Sequence, residues 1–403
     1  MISILRNRRF AALFASQVSS LAATGLLTVA LALVAVRLDP AGAAGIIATA
    51  LTIRIAVYVV VSPIASALLA GRSSRAVLIT ADLVRLAVAA ALVLATAPWQ
   101  LYLGIVLLQT ASAVFTPTYQ AVIPRVLPDE RDYTAAQSLS RLAYDLESLL
   151  SPPLAALLVL VLPPQALFAV TALGFLGSAI GVLLAGLHDQ VGSTAEPVGR
   201  RLLRGVGVLV RTPGPRFAAV LDAVSATIYA TVLVSSVVLL IDSGADPADP
   251  SAALAIVLVA FGLGSIAVAL ALPALLRVLR DTSVMLLGAA LAVVVLAATA
   301  AAALLGGLSI AALAALWLVL GASSSAISTP SARLIRAEVP PDQHAAVFAA
   351  RFSTSHAWYA VTYPLAGALG TVAPSGVATA VLAGLAAIVV VIGAAMVSSR
   401  VRR

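Results

Sequence analysis

A handful of ionisable side chains stand inside otherwise apolar runs of this chain. Arg54 lies within LTIRIAVYVVVSPIASALLA (residues 51–70), and Arg141, Asp145 and Glu147 lie within SLSRLAYDLESLLSP (residues 138–152). His356 and Tyr359 share FAARFSTSHAWYAVTYPLAGALG (residues 348–370). An ionisable group at the centre of a membrane helix costs about 2.5–3.5 kcal/mol on insertion scales, so such groups mark a pathway, a relay or a buried pair. Arg54, near mid-depth, reads either as a cavity cation that meets substrate or a carboxylate, or as half of a fixed ion pair. Arg141 and Asp145 are four residues apart, share a helical face and can pair. Glu147 points about 200° away from Asp145 and needs a different neighbour.

A carboxylate that alternates between a dry surrounding and an arginine takes up and releases a proton. Glu147 is the first candidate for that role and Asp145 the second. The alternative is a static Arg141–Asp145 pair, with Glu147 bonded to a neighbouring helix. His356 has the chemistry for proton handling or metal ligation, and Tyr359, at i+3, shares its face. Asp145, Glu147 and His356 together would suit a divalent cation; a helix–helix hydrogen bond is the plainer role for one intramembrane histidine. Gln17, with Gln109 and Gln120, is a polar group of a possible cavity. Arg72 and Arg75, followed at i, i+3 by Asp82 and Arg85, are candidates for a cytoplasmic gate or for ordinary interfacial charges.

Twelve long apolar stretches must position these groups. They run over Phe10–Val36, Gly45–Ala70, Ala76–Pro98, Leu101–Val122, Thr134–Leu160 and Ala166–Leu187, then Phe217–Ile241, Ala252–Leu276, Ser283–Leu305, Ser309–Ser328, Ala345–Val372 and Val377–Val397. With 62% hydrophobic and 10% charged residues and a mean hydropathy of +1.11, the chain has too much apolar surface for a water-soluble core. About 20 apolar residues cross the hydrocarbon layer as a helix, with every backbone polar group satisfied internally.

Basic residues set the orientation. Arg6, Arg8 and Arg9 precede the first stretch, Arg72 and Arg75 follow the second, Arg125 and Arg131 follow the fourth, and five arginines fall between Arg200 and Arg216. Arg277, Arg280, Arg333 and Arg336 continue the pattern, which ends with Arg400, Arg402 and Arg403, whereas Arg37 lies on the opposite side. By the positive-inside rule both termini are cytoplasmic and the chain is a multi-pass protein of the cytoplasmic (inner) membrane. The formal net charge of +8 then reads as topology and contact with anionic lipid, not as a nucleic-acid surface. The run after Arg9 is too long for a signal peptide and reads as a retained first helix. The chain has no cysteine, which removes disulfides, thiolate metal sites and cysteine nucleophiles. No nucleotide loop, zinc helix or nucleophile elbow appears, so an enzyme, direct ATP use and a bound cofactor are not expected.

The polar stretch 188–216 divides the chain into an N-terminal six-helix bundle (1–187) and a C-terminal one (217–403). Its composition suits a cytoplasmic linker with one short amphipathic helix. The halves also repeat: TPTYQAVIPRVLPD (116–129) matches TPSARLIRAEVPPD (329–342) at Thr116/Thr329, Pro117/Pro330, Pro128/Pro341 and Asp129/Asp342. Pro152 and Pro364 correspond in the helices that follow. A repeat of nearly half the chain implies two pseudo-symmetric bundles of an all-α membrane protein.

With these features the chain resembles the major facilitator superfamily. LRNRRFAALFASQVSS (5–20) and FTPTYQAVIPRVLPDERDYTAAQSLSR (115–141) are similar to its drug:proton antiporter branch of macrolide and siderophore exporters. The resemblance implies twelve transmembrane helices, alternating access, protons as coupling ion, efflux of a small molecule and a monomer. Exporters of that branch carry an acidic residue late in the first helix; here the sequence is Ala23-Thr24-Gly25. The loop after the second helix reads Gly71-Arg72-Ser73-Ser74-Arg75 without its acidic member, and the fifth helix has Ser151-Pro152-Pro153 in place of Gly-Pro. Residues 51–70, 138–152 and 348–370 are similar to nickel-resistance exporters, which implies a divalent-cation exporter as the alternative. A non-transporting receptor on the same scaffold is the third reading.

Overall fold

The computed structural model describes residues 2–39, 43–158, 160–187, 197–245 and 251–401. Residues 188–196 of the expected linker, and Arg402 and Arg403 at the basic end, lie outside the described residues. Among the described residues all regular structure is helical, and twelve long helices carry it. They are α1 (Arg8–Leu38), α2 (Ala43–Leu69), α3 (Ser74–Leu92), α4 (Pro98–Val126), α5 (Glu130–Leu158) and α6 (Ala166–Leu184). After a separate linker helix, Val198–Arg211, come α7 (Pro213–Asp242), α8 (Ser251–Leu275), α9 (Asp281–Leu304), α10 (Ile310–Glu338), α11 (His344–Val372) and α12 (Ser375–Val401).

Polar residues start these helices where nothing within the helix can satisfy the first amides. Asn7 accepts from the amides of Arg9 and Phe10 at 3.1 and 3.2 Å, Ser73 from Ala76 at 3.1 Å, and Ser309 from Ala312 at 3.2 Å. Pro98 opens α4, where its missing N–H costs nothing, and Gln100 reaches back to the Ala97 amide at 3.0 Å. Inside the spans, hydroxyls fold onto their own helix: Thr24, Ser112 and Thr227 each donate to the carbonyl four residues earlier.

The helix limits differ from the sequence expectation at several ends. α3 stops at Leu92 and not at Pro98, while α4 and α10 run on to Val126 and Glu338. Pro117, Pro124 and Pro330 lie inside these helices. Most of the repeated segment is therefore helix end and not loop, because in a membrane neighbouring groups can take up the backbone oxygens a proline frees. α7 is not one regular helix either: Thr231–Ser235 forms a π turn between Pro213–Ala230 and Ser236–Asp242.

Among the described residues, nine helices are long and apolar enough to cross a membrane. α3, α5 and α11 fall short of that measure because they carry the polar groups, such as Asp82 and Arg85 in α3 and Arg141, Asp145 and Glu147 in α5. Elsewhere the outward faces are apolar and uncovered, as at Leu184 (73% exposed) and Val391 (68%), which suits lipid and not water.

The chain forms two compact units. The first comprises Met1–Ala136, Leu146–Val208 and Pro340–His356; the second comprises Gln137–Asp145, Leu209–Val339 and Ala357–Arg403. Thus α5 and α11 are each divided between the units. The first unit packs around Leu27, Val34, Leu101, Leu108 and Phe168. The second packs around Phe217, Leu221, Val224, Trp317 and Leu320, with the Trp317 indole donating to Ser236 Oγ at 3.0 Å. In that unit α8 and α10 meet backbone to backbone. A Cβ at Gly264 would fall onto the Leu318 carbonyl, and one at Gly321 onto the Phe261 carbonyl, the close approach that small residues allow between membrane helices.

Candidate functional site

In the first unit, Arg54 and Tyr58 sit one turn apart on α2, which places the guanidinium 5.6 Å from the Tyr58 ring centre. Tyr58 is buried and donates from its hydroxyl to Gln109 Oε1 on α4 at 2.7 Å. Its ring also meets His356 edge-on at 4.7 Å and Phe352 at 4.9 Å, both on α11. His356 Nδ1 lies 2.7 Å from the Phe352 carbonyl, an acceptor, so this nitrogen carries a proton. Hydroxyls tie α2 and α11 together beside this group: Ser353 Oγ donates to the Val59 carbonyl at 2.5 Å, and Ser62 Oγ to the Ala349 carbonyl at 3.3 Å.

Glu147 belongs to the same unit. It is half-buried on α5, and the charge of Arg54 acts on it and on His356. Its carboxylate rests against α1: a Cβ added at Gly25 would lie 2.7 Å from Glu147 Oε1 and would also fall on the Ser151 side chain. The absent side chain of Gly25 is what gives the carboxylate its place.

The second unit holds a different polar group, built around Arg141. Its Nε donates to Asp145 Oδ2 at 3.2 Å and to Ser265 Oγ of α8 at 2.9 Å. Nη1 donates to Ser328 Oγ of α10 at 3.0 Å, and Nη2 to the Tyr229 hydroxyl of α7 at 3.1 Å. Nη2 also lies 3.2 Å from Asp145 Oδ1, completing an ion pair, and Ser265 donates to Asp145 Oδ2 at 2.6 Å. One guanidinium thus joins segments of four helices through one carboxylate and several neutral hydroxyls. The hydroxyls accept from the guanidinium, and Asp145 supplies the counter-charge. Tyr359 stands on Tyr229, edge-on at 6.0 Å, and the charge of Arg141 acts on it.

Asp82 and Arg85 pair with each other deep inside the first unit, at 0% and 2% exposure. Ser178 of α6 donates to Asp82 at 2.8 Å, Arg85 donates to Ser20 of α1 at 2.9 Å, and the guanidinium lies over the rings of Phe115 and Phe175 at 4.2 and 4.6 Å. In this structure the two charges are therefore engaged inside the bundle, while Arg72 is exposed and Arg75 half-buried in the preceding turn. Gln17 is buried, with its Oε1 3.2 Å from the Tyr119 hydroxyl.

The structure thus groups Arg54, Glu147 and His356 in one unit and Asp145 and Tyr359 in the other. Among the described residues, no three His, Cys, Asp or Glu side chains come together as a metal-holding group. Sequence reasoning did not pick out Tyr58, Tyr229, Ser265, Ser328 or Ser324, whose Oγ lies 3.5 Å from Arg141 Nη2. The run Ser323-Ser324-Ser325 followed by Ser328, in an otherwise apolar span, was the signal available for the last two.

Residues 13–305 match the Major Facilitator Superfamily. That is well over half of the chain, and the chain belongs to this superfamily: it is a multi-pass membrane transporter, of a family whose members handle small molecules and are not enzymes. Among solved structures it is similar to the human organic anion transporter MFSD10 (TETRAN), at 14% identity and a TM-score of 0.75, covering 96% of this chain and 99% of that one. It is also similar to the Major Facilitator Superfamily transporter FucP in the outward conformation, at 13% identity and a TM-score of 0.71, covering 96% and 98%. At such identity these likenesses show the fold. No curated protein matches the chain in sequence.

Proposed function

We propose that the protein is a proton-coupled exporter of a small molecule across the cytoplasmic membrane. It works by alternating access as a monomer, with both termini in the cytoplasm and two bundles (1–187 and 217–403) joined by the linker 188–216. The observation that carries this reading is the seat of Glu147, a membrane-embedded carboxylate lodged against Gly25 with the charge of Arg54 acting on it. The exporters this chain resembles carry their acidic residue late in the first helix. Here α1 offers only Gly25, and a carboxylate from α5 stands at the same place. Deprotonated Glu147 is drawn to Arg54. A proton on Glu147 releases that attraction and frees the Arg54 guanidinium for a substrate oxygen or a π face. Arg141 and Asp145, with their hydroxyl partners and Tyr359, form the polar group of the second compact unit.

The test is transport in liposomes under an imposed pH gradient, with a panel of dyes, macrolides and siderophores. Wild type should accumulate at least one compound in response to the gradient. Glu147→Gln should still exchange that compound between equal concentrations but lose the response to the gradient. Equal gradient response in both proteins would exclude Glu147 as the proton carrier, and no transport of any compound would leave the receptor reading standing.

A further inference from the structure

At the arginine-rich end of the first unit lies a cavity of about 700 Å³ that the transport reading does not use. Its volume falls within the ordinary range of small-molecule sites. Four arginines from three separate stretches converge on it: Arg72 after α2, Arg125 at the end of α4, and Arg201 and Arg204 of the linker helix. Among the described residues, the one carboxylate on its wall is Asp342. Ser66 and Thr118 add hydroxyls, and Ser74 and Ala345, which stand in the first turns of α3 and α11, bring helix N-termini to the wall. Arg72, Arg125 and Arg204 are exposed, so the cavity opens to solvent.

The linker helix is seated closely enough to hold its arginines in place. A Cβ at Gly205 would stand 2.6 Å from the Ala346 carbonyl, so the helix lies against the start of α11. Arg201 Nη1 donates to the Ala70 carbonyl at 3.4 Å, while its Nε is buried with no hydrogen-bond partner among the described residues. A buried guanidinium N–H left unsatisfied is costly, and an acceptor entering the cavity would relieve it. Guanidinium forks match phosphate oxygens two at a time, and four of them against one carboxylate select a multiply charged anion.

We propose that this cavity binds a phosphate-bearing anion, clamped by Arg72, Arg125, Arg201 and Arg204, and that the bound group fixes the linker helix to the ends of α2, α4 and α11. The same chemistry is presented by an anionic lipid headgroup of the adjoining leaflet and by a soluble phosphorylated compound. The inference is independent of proton coupling, because its readout is binding and not transport.

The experiment measures thermal stability and a dissociation constant for the purified full chain in two arms. One arm titrates pyrophosphate into detergent-solubilised protein against sulfate at matched ionic strength. The other compares nanodiscs of phosphatidylcholine with nanodiscs containing phosphatidylglycerol. Saturable stabilisation in the first arm identifies a soluble phosphate compound, and stabilisation confined to the second identifies a lipid headgroup; either supports the site. Arg201→Gln should weaken the effect about tenfold or more, the loss expected for one charge-assisted pair, whereas Arg200→Gln, whose side chain is exposed and off the cavity wall, should not. Should Arg201→Gln fail to fold, Arg125→Gln at the exposed rim carries the same expectation. The proposal is overturned if neither arm exceeds its control, or if Arg200→Gln weakens binding as much as the cavity variants do.

Discussion

Arg141 and Arg54 show how neighbours decide what a buried charge can do. Arg141 is fixed by Asp145, Tyr229, Ser265 and Ser328, all within 3.2 Å. Removing one member of a buried pair strands the other at a cost of about 3–5 kcal/mol, while removing both costs much less. Arg141→Gln should therefore lower the melting temperature sharply, and Arg141→Gln with Asp145→Asn should recover a large part of the loss. Equal melting of the single and double variants would show that the pair contributes nothing to stability. Beside Arg54 stands the ring of Tyr58, 5.6 Å from the guanidinium, which in turn packs on Phe352 and His356. Gly25→Ala tests the neighbouring carboxylate, since the added methyl must displace the ends of Ser151 and Glu147. Gradient-driven transport should fall severalfold while the protein still folds; unchanged transport would mean that the seat of Glu147 is not critical.

At the scale of the element, the contact between α8 and α10 depends on two glycines that face backbone carbonyls, and a rigid backbone cannot yield as a side-chain end can. Gly264→Ala or Gly321→Ala should each destabilise the second unit by about 1–3 kcal/mol, the usual cost of overpacking. Gly207→Ala in the linker helix, where nothing lies within 4 Å of the added methyl, should be neutral or slightly stabilising by helix propensity. Melting curves of the three variants decide the point, and similar melting of all three would contradict it. The sequence already carried the amphipathic linker helix, because periodicity is a local property. It did not carry the π turn at Thr231–Ser235, after which Ser236 accepts a hydrogen bond from the Trp317 indole. Nor did it carry the true ends of α4 and α10, which run past the expected limits at Val122 and Ser328 and accommodate Pro124 and Pro330. Likewise, the opposite pointing of Asp145 and Glu147 followed from helical geometry alone. The hydroxyls that surround Arg141 come from α7, α8 and α10, a tertiary arrangement that no spacing rule reveals.

For the whole molecule, the distribution of arginines assigns each loop to a side of the membrane, and the absence of cysteine makes that assignment easy to test. Arg277→Cys, after α8, should react with an impermeant maleimide only when the membrane is opened, and Gly307→Cys, between α9 and α10, should react in intact cells. Both positions are exposed. The reverse pattern would overturn the proposed orientation. Twelve long helices were legible because hydropathy survives in a single sequence, as does the repeated Thr-Pro and Pro-Asp spacing. The division of α5 and α11 between the two units was not, since it depends on which neighbours each half of a helix packs against.

The proposal as a whole turns on Glu147 carrying a proton that it exchanges for the company of Arg54. Infrared difference spectra between acidic and alkaline pH, recorded on the protein in lipid, read that exchange without knowledge of the substrate. The account predicts a protonated-carboxyl band in wild type that disappears in Glu147→Gln and titrates at a different pH in Arg54→Gln. Identical spectra from wild type and Glu147→Gln would mean that this carboxylate never changes its proton, and the coupling mechanism would be contradicted.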